Sequence, residues 1–178
     1  MASANVQAEG LPQSILNKIP RGYVVLTHAN GKLNDDELTD YLVVVQKAGE
    51  ANINSLSYAA ERPLLLFTQK PLGNYELTRR NDHVVFRLDE GGQCDPFLDS
   101  GNGLTIKDHY FTVENGVACG QHWSDYITFK YVPALKDWVF HQRIYEASHD
   151  VADQNGKFKR VVQKAAKKRK ILFEEYYK

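Results

Sequence analysis

Tyr126-Ile127-Thr128-Phe129-Lys130-Tyr131 is followed, after Val132-Pro133-Ala134-Leu135-Lys136-Asp137, by Trp138-Val139-Phe140-His141-Gln142-Arg143-Ile144. Both outer runs are short and rich in β-branched and aromatic residues, and the segment between them carries turn residues. Two such runs on a tight connection read as neighbouring antiparallel strands. The pattern continues towards the N-terminus. Leu104-Thr105-Ile106 and Tyr110-Phe111-Thr112-Val113 flank Lys107-Asp108-His109, and Glu114-Asn115-Gly116 follows as another turn. His83-Val84-Val85-Phe86-Arg87-Leu88 reads as a further strand. Tyr75-Glu76-Leu77-Thr78-Arg79 alternates and pairs, through the turn at Lys70–Asn74, with Leu64-Leu65-Leu66-Phe67-Thr68. Tyr23-Val24-Val25-Leu26-Thr27 is the first β-type run. Tyr41-Leu42-Val43-Val44-Val45-Gln46 and Leu64–Thr68 are almost continuously apolar, as strands buried on both faces are. Roughly nine short strands predict a mainly β fold, with antiparallel sheets in one compact domain.

The two ends differ from this body. Residues 1–10 are small and polar and are expected to be a disordered leader remnant, leaving 11–178 as a single β-rich domain. Leu11, Ile15 and Ile19 recur at spacing four among Pro12 and Pro20, which predicts a short N-terminal helix. At the C-terminus Phe158, Val161, Ala165, Leu172 and Tyr176 fall at helical spacing, but Lys168 and Arg169 break the stripe. Ile171-Leu172-Phe173 reads equally well as a strand. The tail is therefore a short helix or strand, and the fold becomes α+β if it is helical.

Composition excludes several classes. The chain has 178 residues, 43% of them apolar and 25% charged, which excludes disorder for the chain as a whole. No run approaches the roughly 18 apolar residues of a membrane span. The formal net charge is zero, yet residues 150–178 hold nine Lys/Arg against four Asp/Glu, a net +5 that leaves the body at −5. Such a dipolar molecule presents two different faces to partners. The run Lys164-Ala165-Ala166-Lys167-Lys168-Arg169-Lys170 reads as a solvated element or a dock for an acidic protein; nucleic acid is not favoured.

Cys94 and Cys119 both lie in Gly-rich, turn-like surroundings. Their spacing does not supply the close pair of a metal site. An even count at turns allows one disulfide between neighbouring strands, which persists only in an oxidising compartment; two free thiols are the other reading. Ala2-Ser3-Ala4 has the small-x-small form of a signal-peptidase site. The chain is thus expected in the periplasm or secreted, its signal peptide removed.

One spacing carries chemistry. In Asn30-Gly31-Lys32-Leu33-Asn34-Asp35-Asp36-Glu37-Leu38-Thr39-Asp40, the side chains of Asn34, Asp36 and Asp40 supply oxygens at alternate positions, as calcium loops do. Lys32 stands at the first ligand position and Glu37 where a loop glycine is needed. Lys32 is expected to reach Asp36 or Asp40 in place of a cation. The loop is read as a structural or protein-binding acidic loop, a degenerate calcium site with no metal favoured.

This segment resembles small exported bacterial proteins with an FG-GAP-like (integrin-propeller-type) segment, whose hallmark is G-D-L-N-x-D-G-x-x-D before an apolar strand. Ile19-Pro20-Arg21-Gly22-Tyr23, Arg62-Pro63-Leu64, Arg80-Asn81-Asp82, Asp95-Pro96-Phe97 and Lys170-Ile171-Leu172-Phe173-Glu174 continue the resemblance in order, over about residues 15–176. The resemblance implies protein binding outside the cytoplasm, and a closing strand at 170–174 after a short helix.

Catalytic signatures are sparse. Six histidines (His28, His83, His109, His122, His141 and His149) form no H-E-x-x-H or H-x-H pair. Cys119, His122 and Asp125 lie close in sequence, and Glu114, Asp108 and Asp125 are strand-end carboxylates of the type that flank a glycosidic bond. Tyr145, Tyr176, Tyr177, Trp123 and Trp138 are candidates for an aromatic binding face. The leading expectation is an exported, non-enzymatic protein-binding module, such as an inhibitor or immunity protein against a secreted toxin or effector, with no catalytic residues and no cofactor. The alternatives are a carbohydrate-active or metal-dependent protein using the strand-end carboxylates, and a calcium-stabilised structural module.

Overall fold

The apolar and β-branched runs fold as nine strands in a computed structural model that describes residues 8–50, 59–92, 94–98, 103–119, 122–148, 158–166 and 169–178. They are β1 (Tyr23–Gly31), β2 (Asp40–Lys47), β3 (Leu64–Gln69), β4 (Tyr75–Asn81), β5 (Leu104–Lys107), β6 (Tyr110–Val117), β7 (Trp123–Val132), β8 (Asp137–Ser148) and β9 (Phe158–Lys164). Every neighbouring pair is antiparallel, in sheets ordered β1-β2-β3-β4 and β5-β6-β7-β8-β9. The mainly β, antiparallel architecture read from the sequence is the one observed.

Pleat parity decides where the apolar side chains go. Leu42, Val44, Leu64 and Leu66 point into the space between the sheets, where they meet Phe111, Ile127, Phe129 and Phe140. The alternate residues Tyr41, Val43, Val45, Leu65 and Phe67 point the other way and are also buried. Helix α1 (Gln13–Leu16), with Ile15 fully buried and Leu11 beside it, covers that second face. This double cover explains why β2 and β3 are apolar throughout.

Two of the seams between the sheets are closed. Gly31 of β1 lies so near β5 that a Cβ there would sit 2.8 Å from the Ile106 side chain, so only glycine permits the approach. On the other side, the C-terminal segment fills the gap between β4 and β8. Phe140 N–H donates to the Ile171 carbonyl, Leu172 bridges Val139, and a 3₁₀ turn (Phe173–Glu175) buries Phe173 and Tyr176 among the core aromatics.

Two expectations are corrected. Segment 83–88 is not a strand. Val84 and Val85 are fully buried, but the backbone bonds to side chains instead of to a neighbouring strand. Asn81 Oδ1 accepts from the N–H groups of His83 and Val84, while Asn115 Oδ1 accepts from Phe86 N–H and Asn115 Nδ2 donates to the Val84 carbonyl. The β-branched run thus serves as a plug crossing from one sheet to the other. Second, the tail that the sequence leaves open between helix and strand, and that the resemblance implies as a short helix before 170–174, begins as strand β9, paired with β8 from Gln142↔Lys164 to Ser148↔Phe158. The family-implied closing strand at 170–174 is reduced to the single bridge at Leu172 followed by the 3₁₀ turn. The expected disordered leader at 1–10 lies largely outside the described residues.

Cys94 and Cys119 form a disulfide with their Cα atoms 6.3 Å apart. It ties the crossover segment to the chain just beyond β6. Closing a loop of this separation is worth about 3 kcal/mol in chain entropy.

Candidate functional site

The acidic loop before β2 is pinned from within. Asn34 Oδ1 accepts from Asp36 N–H at 2.8 Å, and Asp36 Oδ1 from Leu38 N–H at 3.0 Å, so both side chains are spent on local turns. Lys32 pairs with Glu37, not with Asp36 or Asp40 as expected, because Asp40 is fully buried at the start of β2. Asp40 accepts from Leu33 N–H and from Gln69 N–H, and Trp138 Nε1 donates to the Leu33 carbonyl at 2.7 Å. The loop closes one end of the core. Of the three candidate residues, Asp36 is exposed, Asn34 half-buried and Asp40 inaccessible. Among the described residues, no three His, Cys, Asp or Glu side chains converge on one point.

Burial pushes the Asp40 carboxyl up from 3.8 to about 6, against the two N–H groups that favour its charge. The folded chain therefore holds a proton on Asp40 between pH 4 and 6 that the unfolded chain has released. Stability from this group is full near pH 4 and falls as pH rises through 6, by about 2–3 kcal/mol. Urea unfolding at pH 4.5 and 7, in wild type and Asp40→Asn, checks this. The expected result is that the variant loses the acid-side gain; equal pH dependence in both chains refutes it.

The strand-end carboxylates do not assemble. Glu114 and Asp125 lie on opposite faces of the five-stranded sheet, since Glu114 pairs with Tyr126 and Asp125 is the next residue along β7. Glu114 is raised by partial burial and held by the Tyr126 hydroxyl, while Asp125 is fully buried and forked by Arg143 Nε and Nη2. Asp108 sits in the β5–β6 turn, where it and His109 take positive φ as a two-residue hairpin turn requires. Cys119 is consumed by the disulfide, so it is not available as a thiol beside His122 and Asp125. The proposed aromatic face is also divided. Trp138 and Tyr176 are core residues, Trp123 stacks on Tyr145, and Tyr177 lies exposed against His83. His149 lies outside the described residues. A cleft of 360 Å³ at the β1–β5 seam is lined by Lys32, Lys107, Asp108 and His109, with Lys32 already engaged by Glu37 and His109 3.6 Å from Asp35.

What remains open is the outer face of the five-stranded sheet and its β9 edge. Among the described residues, no helix or strand lies on that face. One row runs straight across it: Glu114, Tyr126, Ile144 and Val162 are successive cross-strand partners. Beside it, Thr112 and Thr128 share a hydroxyl hydrogen bond at 2.9 Å, and Lys130 stacks over the Tyr110 ring. The row ends on β9, whose described side chains from Lys159 to Lys164 are all exposed, with Val161 at 48% and Val162 at 45%. Sequence reading missed this surface because the valines of β9 also fit a helical stripe. The adjacent β-branched pair was the available signal, since it favours a strand. Comparison with protein-family models, with curated proteins and with solved structures returns no match for this chain.

Proposed function

We propose that the protein is a non-enzymatic protein-binding module that works in an oxidising compartment, periplasmic or extracellular, and blocks a partner by covering its surface. An inhibitor or immunity protein against a secreted toxin is the concrete form of this reading. The observation that carries it is the uncovered outer face, where a tyrosine and aliphatic row lies among threonines while both faces of the other sheet are packed. Flat, rigid sheet surfaces with aromatic anchors and a polar surround suit protein interfaces of about 1,600 Å². The Cys94–Cys119 bond supports the compartment, since disulfides of this kind persist where the milieu is oxidising. The acidic loop becomes a secondary contact through exposed Asp36, because Asp40 is turned inward, Glu37 is paired with Lys32 and Asp35 lies beside His109.

Affinity capture from cytosolic, periplasmic and secreted fractions of the source organism tests the proposal. Wild-type chain is compared with a Tyr126→Ala, Ile144→Glu double variant whose changes lie on the open face. One stoichiometric protein held by wild type and lost with the variant is the expected result, since a central interface tyrosine typically contributes about 2 kcal/mol or more. Equal capture by both chains, or none from any fraction, overturns it.

A further inference from the structure

Resting on the protein-binding reading, we propose that the free edge of β9 takes an acidic, extended segment of the partner as a sixth strand of the sheet. Among the described residues the other sheet edges meet neighbours: β1 and β5 close on each other at Gly31 and Ile106, and the C-terminal turn lies against β4 through Asn81. β9 ends its sheet, and among the described residues no strand pairs with its outer side.

The hydrogen-bond parity of β9 identifies the groups on offer. Ala165 N–H donates to the His141 carbonyl, so this pair is a hydrogen-bonded one. Alternate residues of an antiparallel pair share that pattern, which directs Gln163, Val161 and Lys159 to β8. The N–H and C=O groups of Arg160, Val162 and Lys164 then point outward, spaced as an incoming strand needs. A groove of 240 Å³ lined by Arg143, Tyr145, Val161 and Gln163 opens on the inner side of β9 and receives alternate side chains of that strand. Its floor is rigid, because Arg143 is locked onto buried Asp125.

Charge selects the occupant. β9 carries Lys159, Arg160 and Lys164 and no Asp or Glu. Glu146 is the carboxylate that reaches this edge, 3.2 Å from Arg160, and both side chains are well exposed. A second copy docking β9 on β9 would oppose two such basic edges, so the charges that bar self-pairing favour an acidic guest. The exposed valines and the unpaired backbone favour a peptide over a nucleic acid, which asks for free aromatic faces, whereas Tyr145 of this groove is already stacked on Trp123.

The test uses the full chain and a blocked heptapeptide of alternating glutamate and valine, with the lysine–valine counterpart and a single-stranded oligonucleotide as comparisons. Calorimetry is expected to show the acidic peptide binding tighter than either by about tenfold or more. Hydrogen exchange at the amides of Arg160, Val162 and Lys164 is expected to slow on binding. Val162→Pro removes an outward N–H without touching the β8 ladder and is expected to weaken binding about tenfold, while Val162→Thr stays near wild type. Binding unaffected by Val162→Pro, amides that stay unprotected, or an oligonucleotide that binds as well as the peptide each overturn strand addition. Those failures leave the outer-face variant as a separate readout of the broader reading.

Discussion

Replacing Arg62 by methionine is expected to lower the unfolding free energy by about 3–5 kcal/mol. Arg62 is 1% exposed, yet it carries a full charge between two carboxylates. Its Nη1 and Nη2 fork onto Asp95 at 2.6 and 2.7 Å, and its Nε faces Glu50 Oε2 at 3.8 Å. Burial by itself would raise the Asp95 carboxyl, but the guanidinium and the N–H groups of Phe97 and Leu98 outweigh it and hold Asp95 below the ordinary carboxylate range. Methionine fills much of the volume and leaves buried Glu50 and half-buried Asp95 without their counter-charge, which is the costly way to break an ion pair. A domain of this size has about 5–15 kcal/mol in total, so the loss is a large fraction of its stability. Urea unfolding at pH 7 reads it directly. Adding Asp95→Asn to Arg62→Met is expected to recover part of the loss, because the orphaned charge is then removed. A single variant within about 1 kcal/mol of wild type refutes the assignment of Arg62 as the clamp.

Asp95 and Asp40 give the chain opposite responses to acid. Asp40, raised by burial, adds stability as pH falls from 6 towards 4. Asp95, depressed by Arg62, contributes stability above the ordinary carboxylate range and loses it once pH falls below that range. The loop at Asn34–Asp40 was legible as a cluster of oxygens, and the alternation of its side chains was correctly placed before an apolar strand. Its chemistry was not, because sequence spacing says nothing about which way Asp40 turns. Only the burial of Leu33 under Trp138 shows that the loop closes the core.

The strands that lie in ladders were legible for a plain reason: their periodicity is imposed by one buried face, or by two at Tyr41–Gln46 and Leu64–Thr68. Segment 83–88 has the same composition and a different fate. Its partners are the side-chain amides of Asn81 and Asn115, residues that read locally as turn formers. β9 shows the converse case. Phe158, Val161 and Ala165 at helical spacing, with helix-forming lysines between them, left the segment open between helix and strand, and pairing along β8 makes it a strand. Tertiary pairing decides there what local propensity leaves open. Apart from the valine pair of β9, the open outer face was not legible in the sequence, because pleat parity gives a covered and an uncovered sheet face the same alternation when the uncovered one carries Tyr, Ile and Val.

Asn81→Ala is expected to cost about 4 kcal/mol, and its consequence reaches beyond stability. The Asn81 side chain is 2% exposed and makes four hydrogen bonds, two as acceptor from His83 and Val84 N–H and two as donor to the carbonyls of Phe173 and Tyr176. Alanine removes the bonds to four backbone groups and leaves three of them without that partner, each worth about 1–3 kcal/mol where water does not replace the amide, while the Phe173 carbonyl still accepts from Tyr176 N–H. Two of these groups hold the C-terminal segment that covers the β4 edge. Loosening it exposes a second strand edge, one bordered by Leu77 instead of Lys159, Arg160 and Lys164. Asn81→Ala is therefore expected to self-associate at concentrations where wild type does not, and to show faster amide exchange at Tyr176 and Phe140 than elsewhere in the core. Light scattering with hydrogen exchange separates the outcomes. Destabilisation spread evenly over the core, with no change in association, would mean that Asn81 supports the fold without guarding this edge. Wild type avoids the hazard because the edge left open among the described residues is the basic one, where like charge keeps copies apart while leaving the backbone accessible to an acidic strand.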